Sequence, residues 1–314
     1  MYFFHIISKR KKVYQISLIR NCPLKKIRLV HQTSIFIYLI KNRFIISVFF
    51  LLTMELISLK LPLIKKWDPL SQILVKAIKD NLNSLEEGDI VVIAEKVIAT
   101  SQGRVVNLDD VTNISSKAKD LANKYDMDPR YVELIIKEAS MILGGMTHVI
   151  LTKVNDFLIA NSGIDQSNAG PNQVVLLPEK LQETVKNYRE NLRETFNLKD
   201  FGLIISDSRV QPLRKGTIGI AIATAGFEPI EDLRGTPDLF NRPLEITMRA
   251  IADDLASAAQ FLLSEANQQT PVVVIRGAKV KFTDNPVLTP EMAPEECLYM
   301  NIFSKYLLRK KKES

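Results

Sequence analysis

The chain has little cysteine and little histidine. Cys22 and Cys297 are the only cysteines in 314 residues, and neither belongs to a CxxC pair or sits beside a histidine cluster. That argues against a disulfide framework and a zinc centre, and it fits a reducing cytoplasm. Histidine occurs only at His5, His31 and His148, so a mechanism built on a histidine base has one candidate in the main body. His148 lies in GGMTHVILT, which reads as the start of a buried strand, and it is expected to be structural. No apolar run reaches the ~20 residues of a membrane-spanning helix. The longest, Ile35–Ile40 and Phe44–Leu52, are split by Lys41-Asn42-Arg43, and stable membrane insertion is not expected. The nucleotide and hydrolase fingerprints GxxxxGK[ST], GxGxxG and GxSxG are missing as well.

What is there is an ordinary globular composition, 46% hydrophobic and 25% charged, with length for one large domain or two smaller ones. The net charge of +7 is unevenly spread: residues 1–53 hold ten Lys/Arg and neither acid nor glycine, which leaves 32 basic against 35 acidic side chains beyond them. Nucleic-acid binding is therefore not expected of the main body. Residues 1–53 lack the compact basic start and small-residue cleavage site of a secretory signal. Met54 then opens MELISLKLPLIKKWDPL, where composition becomes normal. Translation starting at Met54, a disordered basic arm and a peripheral membrane anchor are the three readings of residues 1–53. The first is the expectation, with 1–53 outside the fold and 54–314 as the functional unit, in one domain or two subdomains.

Beyond Met54, short β-rich runs alternate with amphipathic segments. Leu70–Leu82 has apolar spacing near i, i+3, i+4, i+7 and predicts a helix. Further helices are predicted over Lys117–Tyr125, Tyr131–Ala139 (behind an Asp128 cap and Pro129), Glu179–Phe196 and Thr247–Ser264. Strands are predicted at Ile90–Ala94, Val174–Leu177, Gly202–Ser206, Ile218–Ala223 and Val272–Arg276, with a hairpin over Val149–Lys153 and Phe157–Asn161. Hairpins mixed with long crossovers indicate α+β or mixed α/β rather than a regular βαβ series.

Four segments cluster polar groups. Asn161–Gly170 (NSGIDQSNAG) allows tight turns and places Asp165 and Asn168 three apart; it is either an ordinary Asn/Gly turn or a loop where the two face one ligand. In Ile204–Arg214 (IISDSRVQPLR) an apolar strand ends in Ser206-Asp207-Ser208 before Arg209 and Arg214. Carboxylate and hydroxyl oxygens suit Mg²⁺ or Mn²⁺, and guanidinium groups suit phosphate or carboxylate. The alternative is a capped helix start with solvated arginines, and the convergence of Asp and Arg at a strand end favours the ligand reading. Ile230–Arg242 gathers Glu231, Asp232, Arg234, Asp238 and Arg242 around Gly235; it is either a functional loop or a solvated one. In Ile251–Glu265, Ala256, Ala258 and Ala259 read as packing positions, while Asp253, Asp254 and Glu265 are either ligands or a polar face.

Taken in order, GIDQSN, SDSRVQPLR, GTIGIAIATAGFEPIEDLRGTPDLFNRPLEIT, ADDLASAAQFLLSE and PVVVIRG resemble the coenzyme F420-0:gamma-glutamyl ligases, the archaeal type most closely, from about Met54 to Asp284. The resemblance implies an α+β fold of mixed sheets with packed helices, distinct from Rossmann, P-loop and ATP-grasp folds. It implies a cytoplasmic homodimer that uses GTP and two divalent ions (Mg²⁺ or Mn²⁺), with a monovalent ion such as K⁺ as a further candidate. The implied reaction phosphorylates the terminal carboxylate of F420-0 and joins L-glutamate to it, with a second, γ-linked glutamate to follow. Phosphoryl transfer of this kind needs positioned cations more than a covalent nucleophile, which fits the scarcity of His and Cys. Carried over by motif, Asp165 and Asp207 resemble ligands of the first metal, and Ser208 and Glu265 ligands of the second. Asn168 and the backbone of Leu61, Pro62, Leu63 and Ile64 would contact the nucleotide. On chemical grounds Arg214 and Arg234 are candidates for substrate or phosphate charge.

One departure stands out. Where the family carries a lysine in a VSKAEGR-like stretch, this chain has Thr100, with Lys96 four residues earlier. If the strand continues through Val97 and Ile98, Lys96 and Thr100 share a face, and either Lys96 supplies the missing charge to GTP or nucleotide affinity is altered. A related metal-dependent amide ligase with another acceptor, and a catalytically impaired nucleotide-binding homologue, are the competing readings.

Overall fold

The run IVVIA at 90–94 has no polar alternation, and such a strand needs cover on both faces. The computed structural model, which describes residues 26–29, 35–40, 43–48, 54–263 and 265–302, supplies it. The early strands are β1 (Lys26–Leu29), β2 (Ile35–Ile40) and β3 (Arg43–Val48). The chain continues through β4 (Met54–Leu59), α1 (Leu70–Leu82), β5 (Ile90–Ala94), α2 (Glu95–Ser101) and β6 (Val105–Asn107). Next come α3 (Ser116–Tyr125), α4 (Pro129–Glu138), β7 (Met141–Met146), β8 (Val149–Val154), β9 (Phe157–Ala160) and β10 (Gln173–Val175). Then follow α5 (Leu181–Phe196), β11 (Gly202–Val210), β12 (Thr217–Ala225), β13 (Glu231–Asp232), β14 (Met248–Arg249), α6 (Ile251–Leu263) and β15 (Val272–Arg276).

The main sheet has the order β1-β4-β15-β5-β11-β12, and among its pairings only β5 with β11 is parallel. Period-two alternation sends Val91 and Ile93 to one face, against Leu74 and Ile78 of α1 and Val185 and Leu192 of α5. Ile90 and Val92 face the other way, against Leu255, Ala256 and Ala259 of α6. Each of the Val, Leu and Ile side chains, fully buried, contributes roughly 1.5–3 kcal/mol. Smaller sheets, β7-β8-β9, β6-β10 and β13-β14, flank this layer. A separate apolar cluster joins α3 and α4 (Ala118, Ala122, Val132, Ile135) to Ile150 of β8 and Val174 of β10. The architecture is α+β, with mixed sheets and packed helices. β1 pairs antiparallel with β4, and β2 with β3. The other residues of 1–53 lie outside the described residues, and with them most of the segment expected to stand apart from the fold.

Local rules explain the boundaries. Asp128 caps α4, its Oδ1 accepting from the Arg130 N–H at 2.8 Å, and Pro129 opens the helix. Gly219 lets α6 lie close on β12: a Cβ there would stand 2.5 Å from the Ala256 carbonyl oxygen.

Three expectations are corrected. The helix expected from Thr247 starts at Ile251, because Met248–Arg249 pair with Glu231–Asp232 and the Thr247 carbonyl accepts from the Leu233 N–H. Residue 264, its expected end, lies outside the described residues. The strand expected to stop at Ser206 runs on to Val210, paired with β12 throughout. His148 is in the turn between β7 and β8 at φ 67°, its side chain 68% exposed and its Nδ1 2.7 Å from the Asp126 carbonyl. Among the described residues, no helix is long and apolar enough to cross a membrane.

Candidate active site

β5 and β11 run parallel from Ile90/Gly202 to Ala94/Ser206. At that point β5 turns into α2, while β11 goes on with β12 alone. The crevice left at the carboxyl ends of parallel strands is where open α/β sheets bind ligands. A cavity of about 280 Å³ lies there, walled by Leu61–Ile64, the first turns of α2, Asp165 and Asn168, Ser206–Ser208, and parts of 260–271.

A bulge aims the β11 wall. Ile205 pairs with Ala223 but Ser206 pairs with Ala221, so Ile222 is an extra residue on β12, and bulges raise local twist and redirect side chains. Asp253 on α6 secures it by accepting from the Ala221 N–H at 2.9 Å. That gives Asp253 a structural task, and neither it nor Asp254 lines the cavity.

The opposite wall is a carboxylate turn. The Asp165 backbone bridges to Val175 at 3.0 and 2.9 Å, while its Oδ1 accepts from the Ser167 N–H at 2.7 Å and its Oδ2 from the Ser167 hydroxyl at 2.7 Å. The Lys96 ammonium donates to the same Oδ2 and to the Ser167 carbonyl and hydroxyl at 3.1 and 3.0 Å. Asn168, at φ 57°, donates to the Ala266 carbonyl at 3.3 Å and ties this turn to the segment after α6. There Glu265 accepts from the Thr217 hydroxyl at 3.1 Å.

Charge is unbalanced in this space. Glu95, Asp165, Asp207 and Glu265 line it, with Lys96 the single cationic side chain among the described lining residues. Burial pushes Asp165 up, but hydrogen bonds from Lys96 and Ser167 outweigh it and hold the carboxyl below its ordinary range. Burial pushes Asp207 up to about 7; the Ser208 N–H and Lys96 oppose this, and Asp165 and Glu265 reinforce it. Glu95, 6% exposed, is pushed well above the ordinary range by burial and then by Asp207. Two buried oxygens on the cavity wall, Glu95 Oε2 and Ser206 Oγ, have no hydrogen-bond partner.

The chemistry of these donors fits a divalent cation: hard oxygens, excess negative charge and orphaned buried oxygens. Among the described residues no three His, Cys, Asp or Glu side chains already converge on one metal position. Mg²⁺-type sites use one or two carboxylates and complete their shell with water and phosphate, so this spacing suits them.

The structure therefore brings together Leu61, Pro62, Leu63, Ile64, Lys96, Thr100, Asp165, Asn168, Asp207, Ser208 and Glu265 around one cavity. Lys96 and Thr100 share a face, but by helical i, i+4 spacing, because α2 begins at Glu95 and the strand does not continue. Arg214 stands on the exposed β11–β12 turn and does not line the cavity. Arg234 is also elsewhere, paired with Asp232 at 2.7 Å, and Arg242 is paired with Asp238 at 2.9 Å. Glu95 is not among the expected site residues, and Ser206 is expected only as part of the polar cluster at the end of its strand, with no ligand role of its own. The available signal was a charged residue placed directly after a wholly apolar strand.

The family description F420-0:Gamma-glutamyl ligase matches residues 58–277. The chain is 40% identical over 196 residues to the coenzyme F420:L-glutamate ligase of Methanopyrus kandleri, spanning 62% of this chain and 77% of the relative. It is 39% identical over 231 residues to that of Methanocaldococcus jannaschii, spanning 73% and 89%. With the ligase of Methanothermobacter thermautotrophicus the identity is 34% over 218 residues, spanning 69% and 86%. The chain belongs to the F420-0:gamma-glutamyl ligase family.

Proposed function

We propose that this protein joins L-glutamate to coenzyme F420-0 at the expense of GTP, and then adds a second glutamate through a γ-linkage. The observation that carries the reading is the cavity at the ends of β5 and β11, which four carboxylates and one ammonium line together. Family membership and the names of the relatives supply the substrate class.

Leu61–Ile64 and Asn168 would hold the nucleotide, and Lys96 would orient its phosphates as a point charge. Asp165, Asp207, Ser208 and Glu265 would hold divalent ions, with K⁺ as a further candidate ion. Bound there, such ions offset the charge of the transferred phosphoryl group. The acceptor carboxylate oxygen bonds to the γ-phosphorus as the β–γ bridge breaks, giving an acyl phosphate and GDP. The glutamate amine then bonds to the acyl carbon, the C–O bond to phosphate breaks, and the amine loses its proton. Holding both substrates in one crevice converts this second step into an intramolecular one and limits attack by water.

We also read the ligase unit as starting near Met54, in a member of the family fold rather than a Rossmann, P-loop or ATP-grasp fold. The cytoplasm is its setting, and a homodimer its form. Leu239, Phe240 and Ile246, exposed on segment 233–248, offer apolar surface for the second copy.

The test is incubation of purified protein with F420-0, glutamate, GTP and Mn²⁺ or Mg²⁺, followed by mass spectrometry. Product gaining glutamyl units in step with GDP is expected. GTP binding with no product refutes the ligase reading in favour of an impaired homologue, and product only with another acceptor favours a related amide ligase.

A further inference from the structure

Glu95 is the first residue of α2, directly after the buried strand β5. Its position is unusual for a glutamate. It is 6% exposed, it lines the cavity, and its Oε2 has no partner. A buried carboxyl oxygen without a partner is costly, and such groups are retained where something binds them. The Ser206 hydroxyl, 2% exposed, is orphaned on the same cavity wall. It is set there independently, by the pairing of Ser206 with Ala94 at the end of β11 and β5. Asp207, next along β11, lines the same space and lies near enough to repel Glu95.

Lys96 does not resolve this imbalance, because its hydrogen bonds go to Asp165 and Ser167. A proton on Glu95 would reduce the charge but would leave the Ser206 oxygen without a partner. One hard cation meets all three needs: it offsets the Glu95 and Asp207 charges and takes the Ser206 oxygen. Two carboxylates with one hydroxyl is also a donor set that a Mg²⁺-type ion completes with water.

We infer that Glu95, with Asp207 and Ser206, ligates a divalent cation of the Mg²⁺/Mn²⁺ class at the end of β5. The inference rests on the ligase reading only in the use of such ions.

The test is Mn²⁺ binding to the full-length protein without nucleotide, read from loss of the free-ion electron paramagnetic resonance signal. The wild type should bind Mn²⁺, and Glu95→Gln should bind it at least tenfold more weakly. In EDTA, Glu95→Gln should unfold at the wild-type temperature or above, since the variant keeps the shape and replaces a carboxyl whose Oε2 has no partner. Glutamine copies the shape of a neutral glutamic acid, so equal Mn²⁺ affinity in the two proteins overturns the assignment. A wild type that takes up no Mn²⁺ overturns it too. If Glu95→Gln does not fold, Glu95→Asp carries the test by keeping the charge and withdrawing the oxygens by one methylene. Weaker Mn²⁺ binding at an unchanged unfolding temperature in EDTA is then expected, and unchanged binding refutes the role. Glutamylated product is scored separately, so a working ligase whose Mn²⁺ affinity ignores Glu95 keeps its function and loses only this ligand.

Discussion

Removing the Asp207 charge should make the cation-free protein more stable at pH 8. Burial is the main reason its carboxyl is pushed from the ordinary 3.8 up to about 7, with Asp165 and Glu265 adding to it. Between those values the native state keeps a proton that the unfolded chain has released. Stability therefore falls as pH rises through this window, and the loss is complete above pH 7. The full displacement corresponds to ~4 kcal/mol, but the side chain is only partly buried, and solvent screening reduces this to ~2 kcal/mol. Asp207→Asn keeps the shape and removes the charge. For a folded unit of this size, ~2 kcal/mol is a rise of roughly 4–8 °C in melting temperature. Melts followed by circular dichroism in EDTA should show that rise at pH 8, shrinking toward zero near pH 4. With saturating Mn²⁺ the order should reverse, because an ion that binds only the native state stabilises the wild type alone. An Asp207→Asn protein melting below the wild type at pH 8 in EDTA would refute the reasoning, since it would mean that a protein group already compensates the charge.

Lys96→Ala should weaken GTP binding by roughly tenfold or more, in line with ~1.5–3 kcal/mol for hydrogen bonds to a charged group; unchanged affinity by calorimetry would remove Lys96 from the phosphate site. Asp89→Asn should cost ~3 kcal/mol and lower the melting temperature by roughly 6–12 °C, because Asp89 is fully buried and receives Arg276 at 2.9 Å through both oxygens. Gly219→Ala should cost ~1–3 kcal/mol by overpacking against the Ala256 backbone, and the resulting shift of α6 should weaken Mn²⁺ binding through Glu265; a variant with wild-type melting and binding would contradict that packing.

Much of the fold was legible because its strands lie between two helical layers. Ile90–Ala94 and Val272–Arg276 are continuous apolar runs, the pattern of strands buried on both faces, and both were bounded correctly. Leu70–Leu82 was equally clear, since a one-sided helix with a solvated back shows its period directly. β11 was cut short because Asp207 to Val210 are polar or exposed and pair with β12 beyond the edge of β5. A segment outside the core has no hydrophobic pattern to reveal its backbone pairing. His148 was misplaced for the converse reason: apolar neighbours on both sides concealed a turn held by backbone and ring contacts to Tyr125 and Asp126.

The site depended on one further bend. Reading 94–100 as a continued strand places Lys96, Ile98 and Thr100 on one face and Glu95, Val97 and Ala99 on the other. That reading selects Lys96 and Thr100 and turns Glu95 away. In the structure the chain turns into α2 at Glu95, where helical spacing keeps Lys96 and Thr100 together. The start of the helix also points toward the cavity, so Glu95, Lys96 and Val97 all line it in succession, which no strand could achieve. Lys96 thus lines the cavity by a different geometry from the one expected, and the strand reading hides the glutamate beside it. What separates the two backbones is the parallel pairing of β5 with β11, which ends at Ala94 and Ser206. A contact between residues so far apart in the chain leaves no local pattern around Glu95.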